Sequence, residues 1–201
     1  MADTIKSFYS AVIPTSSTNV YTVPAGKYSV IKSIIICNQS LYKTTFRLSV
    51  NGLYVAYART IQGKSTLVID DLDIPFLAGS ITLSSGSADA LVVSISGFER
   101  DYVSSDYPYS TSVGSMSSTV NLSSSYDWIV RTLIICNLST SSATITVKVG
   151  DVNIIDSYTL STVDSLILPS MKLFSAQGKP IVLTITGGTT YYGLIAERVV
   201  Q

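Results

Sequence analysis

The chain repeats itself at a fixed spacing, and this restricts its possible folds more than any other feature. Residues Val30–Asn38 read VIKSIIICN, and the closely similar IVRTLIICN follows 99 residues later as Ile129–Asn137. The same spacing aligns the apolar pattern of Phe46–Val50 with that of Ile145–Val149. A period of this length is too long for a solenoid repeat, whereas it is typical of a duplicated domain.

The repeat also sets the domain boundaries. We predict a first domain over residues 1–100 and a second over 111–201, which leaves residues 101–110 as a linker. That segment is polar and rich in tyrosine and contains one proline. About 100 residues are enough to build a core without disulfides.

Apolar and polar residues alternate within each copy. Phe46, Leu48 and Val50 fall on one side of an extended chain, and Arg47 and Ser49 fall on the other. This period of two predicts half-buried β-strands. In the first copy we predict strands near 8–13, 19–23, 28–37, 44–50, 53–59, 65–70, 79–84 and 90–98. Turn signals lie at Pro24–Lys27, Asn51–Gly52 and Gly150–Asp151.

Many short strands separated by turns, without helical periodicity, predict an all-β fold. The expected architecture is two tandem antiparallel β-sandwich domains related by internal duplication. The sequence alone leaves jelly-roll and immunoglobulin-like topologies equally open.

One strand in each copy is apolar on both faces, although a sandwich strand needs only one apolar face. If alternation is strict in 28–37, Ile31 and Ile35 lie opposite the core-facing side chains, and Val130 and Ile134 are their counterparts. The second face must be covered by the other domain, a loop or a neighbouring subunit. We therefore take these four residues as candidates for an interface.

Thirteen tyrosines accompany a single tryptophan, Trp128. Tyr102, Tyr107 and Tyr109 lie in the predicted linker and are further interface candidates, because exposed tyrosines favour contacts with proteins or sugars. The alternative is that they only brace the junction between the domains.

Composition excludes several classes of function. The chain has no histidine, so catalysis by Ser-His-Asp or Cys-His and histidine metal sites are excluded. A formal net charge of zero with 13% charged residues argues against nucleic-acid binding, which needs clustered cations. No apolar run is long enough for a membrane helix, and the first residues lack the apolar stretch of a signal peptide. We expect no catalytic site, cofactor or resident metal.

Two smaller features leave alternatives open. Asp70, Asp71 and Asp73 form the acidic cluster of the sequence, which fits either a solvated loop or a calcium site. Cys37 and Cys136 occupy equivalent apolar strands, and we expect buried free thiols rather than a disulfide. Asn38 and Asn137 end those strands, where side-chain hydrogen bonds to a turn are expected.

The segment Val20–Asn38, followed by Phe46–Gly52, resembles a pattern found in virion proteins of tailed bacteriophages. The similarity covers about a third of the first copy. In the second copy the strands are kept, but Ser123–Tyr126 replaces the Pro-Ala-Gly-Lys turn. Proteins of that type are small β-sandwiches on tails, necks, baseplates, fibres or capsid surfaces, and the family supplies no catalytic residues.

The resemblance implies a non-enzymatic virion protein that contacts copies of itself and other virion proteins. On this basis we expect a tail, neck or baseplate component, with capsid decoration as an alternative. A host-surface carbohydrate-binding module, in which tyrosines stack on sugars, is the rival from another class.

Overall fold

The computed structural model describes residues 3–122 and 126–199. The chain divides into two compact units, Met1–Tyr107 and Pro108–Gln201. All regular secondary structure in the described residues is β-strand, which confirms the all-β prediction. The serines at 123–125, which replace the first copy's turn, lie outside the described residues.

The described part of the first unit contains nine strands. They are β1 (Thr4–Val12), β2 (Thr18–Thr22), β3 (Lys27–Asn38), β4 (Thr44–Val50), β5 (Leu53–Ile61), β6 (Thr66–Ile69), β7 (Ile74–Leu77), β8 (Ser80–Ser85) and β9 (Leu91–Asp101). One antiparallel sheet has the order β1-β9-β3-β6, with β7 also paired to β3, and the other has the order β2-β8-β4-β5.

The second unit repeats this plan. Its strands are β10 (Tyr109–Met116), β11 (Thr119–Leu122), β12 (Trp128–Asn137), β13 (Ala143–Val149), β14 (Val152–Leu160), β15 (Ser165–Leu168), β16 (Leu173–Ser175), β17 (Ile181–Thr186) and β18 (Thr190–Arg198). The sheets have the orders β10-β18-β12-β15, with β16 on β12, and β11-β17-β13-β14. Of the predicted linker, Asp101 thus belongs to β9, and Tyr109 and Ser110 belong to β10.

The strand order decides between the two topologies that the sequence left open. Strands β6 and β7 pair with successive parts of β3, so they act as one interrupted strand. Counted in this way, the described residues of each unit form eight strands in two four-stranded sheets. Each sheet contains strands from the beginning and from the end of the unit's sequence. This is the double Greek key of a jelly roll and not the order of an immunoglobulin domain.

Each unit has a core formed by the inward faces of its two sheets. In the first unit, Ile34 and Ile95 of one sheet and Leu48 and Leu83 of the other are fully buried. In the second unit, the cluster includes Leu133, Ile135 and Leu194 from one sheet and Ile145, Val147 and Leu183 from the other. Polar residues alternate with these positions, as the period of two predicts.

The turns form as their residues require. Asn51 and Gly52 both have positive φ, as a type I′ hairpin turn demands between Val50 and Leu53. At Pro24–Lys27 the Lys27 amide donates to the Pro24 carbonyl at 3.2 Å, and Gly26 has the positive φ of a type II turn. Strand β7 is missing from our prediction, and it contains Pro75, a residue that central strands disfavour. Proline is tolerated here because, among the described strands, β7 is hydrogen-bonded to β3 and to no second neighbour.

The duplication extends to irregular details of the backbone. Side-chain-bearing residues take left-handed conformations at equivalent positions, with φ of 52° at Ala58 and 54° at Ser157, and of 54° at Asp71 and 51° at Ser170. Such conformations are unfavourable without glycine. Their recurrence at a spacing of 99 residues therefore indicates one inherited backbone.

A buried asparagine closes the end of the central strand in both units. The Asn137 amide nitrogen donates to the carbonyl oxygens of Ser141 (2.9 Å) and Ser161 (3.0 Å), while its side-chain oxygen accepts from the Ser139 amide (3.0 Å). Asn38 forms the same contacts with Tyr42, Ile61 and Ser40. The expected side-chain hydrogen bonds to the turn are confirmed, and they tie separate loops together.

We expect Asn137→Ala to destabilise the second unit by about 2–3 kcal/mol, because it leaves several buried backbone groups without partners. The measurement is urea unfolding followed by the fluorescence of Trp128, which lies in that unit. Asn153→Ala is the matched control, since Asn153 is exposed, and it should leave the unfolding midpoint unchanged. Equal midpoints for the two variants would contradict this account of Asn137.

Candidate functional site

The outward face of the first unit's β1-β9-β3-β6 sheet is the candidate interaction surface, and we call it the outward face below. Residues directly opposite one another on paired strands share a face. One row across the sheet is Val12, Val92, Cys37 and Thr66, and the next is Ser10, Ser94, Ile35 and Val68. Both rows are uncharged and consist only of apolar, thiol and hydroxyl side chains.

The apolar members of this face are open to solvent. Ile35 is 41% exposed and Val68, directly opposite it on the edge strand β6, is 51% exposed. Val12 on the other edge strand is 41% exposed. Burying such side chains against another surface is favourable by about 25 cal/mol per Å² of apolar area. These two rows therefore have the chemistry of an interface, and they contain no carboxylate, ammonium or guanidinium group that a partner would have to desolvate.

A β-bulge changes the faces that strict alternation predicts for β3 and β12. The pairing of β3 with β9 shifts between Ile31 and Ser33, and the pairing of β12 with β18 shifts between Val130 and Thr132. The extra residues are Lys32 and Arg131. Across the shift Ile31 pairs with Gly97, on the same side as the core residue Ile95.

The bulge accordingly moves two of the candidate interface residues into the cores. Ile31 is fully buried, and Val130 belongs to the core cluster of the second unit. Ile35 remains on the outward face. Ile134, its counterpart, also points away from the core cluster but is fully buried, as are Thr132 and Cys136 beside it on β12.

The linker tyrosines are less exposed than the sequence suggests. The Tyr107 ring meets Tyr28 edge-on with ring centroids 5.1 Å apart, and Tyr102 meets Tyr107 at 5.6 Å. Burial raises the pKa of Tyr107 to about 12 and raises that of Tyr28 as well. These rings form a packed cluster over β3, whereas Tyr109 is half-buried within β10.

Glu99 is a buried carboxylate that has no signature in the sequence, where it is one of three consecutive charged residues near the end of the domain. In the structure it is 5% exposed and accepts hydrogen bonds from Lys6 Nζ at 2.9 Å and from the Tyr21 hydroxyl. Burial alone would raise its pKa, but the hydrogen bonds from Tyr21 and Lys6 outweigh this and hold the pKa below its usual value. Glu99 is therefore an ionised structural group and not a proton donor.

The acidic cluster is partly engaged by its neighbours. Asp70 accepts from the Ser33 hydroxyl at 3.0 Å, and Asp73 forms an ion pair with Lys32. Within residues 3–122 and 126–199, no three His, Cys, Asp or Glu side chains are grouped so as to hold a metal ion. Cys37 and Cys136 are free thiols, the first half-buried and the second buried. No helix in the described part of the chain has the length and apolar character needed to cross a membrane.

Comparisons with known proteins return no matching family model and no matching curated protein. Among solved structures, the major capsid protein P2 from bacteriophage PM2 is 8% identical with a TM-score of 0.39, covering 100% of this chain and 99% of that one. The STIV MCP is 11% identical with a TM-score of 0.35, covering 99% and 97%. HutD from Pseudomonas fluorescens SBW25 is 11% identical with a TM-score of 0.31, covering 93% and 76%. With TM-scores below 0.5, none of these similarities carries a conclusion about this protein.

The buried tyrosine cluster predicts a loss of stability in alkaline solution. A tyrosine whose pKa rises on folding stabilises the protein fully below its unfolded pKa of 10.0, and this contribution disappears as the pH rises through about 12. We expect Tyr107→Phe to flatten the decline in unfolding free energy across this window. The measurement is urea unfolding at a series of pH values.

Tyr42→Phe is the matched control, because Tyr42 is 80% exposed, and it should keep the steep decline. The assignment fails if Tyr107→Phe and the wild type lose stability in parallel from pH 10.0 to about 12.

Proposed function

We propose that this protein is a non-enzymatic structural component of a bacteriophage virion, which assembles with further copies of itself through the outward face. The observation that carries the proposal is the pair of uncharged rows across the β1-β9-β3-β6 sheet, where Ile35 and Val68 lie exposed side by side. The resemblance of Val20–Asn38 to phage virion proteins supports the viral assignment.

A second copy of the chain is the partner that the charges favour. The formal net charge is zero, so identical copies do not repel one another at long range. Both sides of such a contact offer hydroxyl and apolar groups, which need no ionic partner. In the second unit the corresponding outward side chains, Thr132, Ile134 and Cys136, are fully buried. Hydroxyl, apolar and thiol side chains at these positions of the fold can therefore be buried away from water.

Within the virion, the jelly-roll topology favours the shell. Jelly rolls recur in viral capsid domains, although they also occur in lectins and cupins, so the fold alone does not decide the function. Closed symmetric assemblies multiply weak contacts between identical surfaces. We therefore propose a capsid position ahead of the tail, neck or baseplate position that the sequence suggested.

Val68→Lys tests the proposed contact. A lysine opposite Ile35 on this face would have to be desolvated in the contact, so we expect self-association to weaken at least about tenfold, equivalent to about 1.4 kcal/mol. Sedimentation velocity over a range of concentrations measures the effect. Thermal unfolding of the monomer should not change, because Val68 is already half exposed.

Leu41→Lys is the matched control, since Leu41 is 75% exposed in a loop outside the sheet, and it should associate like the wild type. The proposed contact is refuted if both lysine variants associate equally.

The position in the particle requires a separate measurement. Quantitative mass spectrometry of purified virions should give a copy number comparable with that of the most abundant shell subunit. A small copy number that matches a tail ring would indicate a position in the tail, neck or baseplate. Absence of the protein from purified virions would overturn the structural role.

A further inference from the structure

The second unit contains an open cleft between its two sheets. Its volume is about 250 Å³. Trp128 of β12, Ser175 of β16 and Ser110 of β10 line one side, while Leu122 of β11 lies on the other, and Asn121 and Lys179 are further lining residues. All of the lining residues belong to the second unit.

The equivalent space in the first unit is filled by three aromatic rings. Phe8 of β1 lies 4.8 Å from Tyr21 of β2 and 6.1 Å from Phe76 of β7, measured between ring centroids. Phe8 is the extra residue of a bulge, because the pairing of β1 with β9 shifts between Ser7 and Tyr9. It is 6% exposed. The first unit is thus closed by a bulge that places one more ring between its sheets.

Strand pairing identifies the residues of the second unit that occupy the positions of Phe76 and Tyr21. Phe76 pairs with Ser29, and Ser175 pairs with Trp128 at the same spacing of 99 residues, so Ser175 stands in place of Phe76. Tyr21 pairs with Ile81 of β8, as Leu122 pairs with Ile181 of β17.

Phe8 has no counterpart. Strand β10 pairs with β18 in unbroken register from Tyr109 to Met116. In the second unit the large aromatic side chain in this region belongs instead to β12, where Trp128 occupies the position of Ser29. Together these exchanges leave space between the sheets in the second unit that is filled in the first.

The lining of this space is suited to a small polar ring. Trp128 offers an aromatic surface, and its indole Nε1 is buried without a hydrogen-bond partner among the described residues. Ser110, Ser112 and Lys179 line it as hydrogen-bonding residues, and no carboxylate of the described residues lines the cleft. Lys179 forms an ion pair with exposed Asp151, with 3.8 Å between Nζ and Oδ2, which is a weak surface contact. The volume is below the 300–1,000 Å³ of typical drug-sized pockets.

We propose that this cleft binds a single carboxylate-bearing sugar residue of a glycan. The sugar ring packs against the Trp128 indole, its hydroxyls bond to Ser110 and Ser112, and its carboxylate lies next to Lys179. The proposal is independent of the virion role, because it concerns the second unit and a different class of ligand.

Trp128 is the single tryptophan of the chain, so its fluorescence reports the cleft directly. The experiment titrates the full-length protein with methyl glucuronide and, separately, with the uncharged methyl glucoside. We expect saturable quenching or a shift of the emission by the acidic sugar, at a concentration at least tenfold lower than for the neutral one. Equal responses to the two glycosides, or no response to either, would overturn the assignment.

Two variants locate the binding. Ser175→Phe restores the ring found at this place in the first unit and should abolish the response, whereas Ser117→Phe in the exposed loop after β10 should preserve it. Lys179→Met should remove the preference for the acidic sugar and keep the response to high concentrations of both. A wild-type preference in Lys179→Met, or wild-type binding by a folded Ser175→Phe, would refute the site.

Discussion

In both units the central strand contains one extra residue, Lys32 in β3 and Arg131 in β12, and the packing of each core depends on its position. Without the bulge, strict alternation would turn Ile31 and Val130 away from the core and leave a gap between the sheets. With it, the strand presents apolar side chains inward on both sides of the irregularity. The charged residue itself is held at the surface by an ion pair, to Asp73 in one unit and to Glu197 in the other.

The same bulge marks the limit of what the sequence predicts. Period-two patterns located the strands, and the turn chemistry at Asn51–Gly52 located a hairpin, because both signals are local. A bulge is a property of two paired strands, so the sequence of β3 alone cannot show that Ile31 and Ile35 lie on opposite faces. For this reason Ile35 stays on the outward face, whereas Ile31 does not.

The cleft in the second unit could not be predicted from the sequence, for a related reason. It results from the replacement of Phe76 by Ser175 and from the lack of a counterpart to Phe8, and both require the register of the strands to be known. Trp128 was visible in the sequence as the single tryptophan, but its partners were not. The sequence predicts exposed tyrosines in the linker, whereas the Tyr107 ring packs against Tyr28 and Tyr102.

Two copies of one backbone within a single chain create a problem during folding, because a strand can be captured by the sheet of the wrong copy. Strand β1 carries the extra residue Phe8, while the site of β10 on β18 accepts an unbroken register and already contains the Trp128 indole nearby. An exchanged β1 could follow that unbroken register only by losing its bulge, which would turn the side chains on one side of Phe8 to the opposite face of the sheet. The bulge found in only one of the two copies therefore makes an exchange of β1 and β10 unfavourable, a form of selection against misassembly.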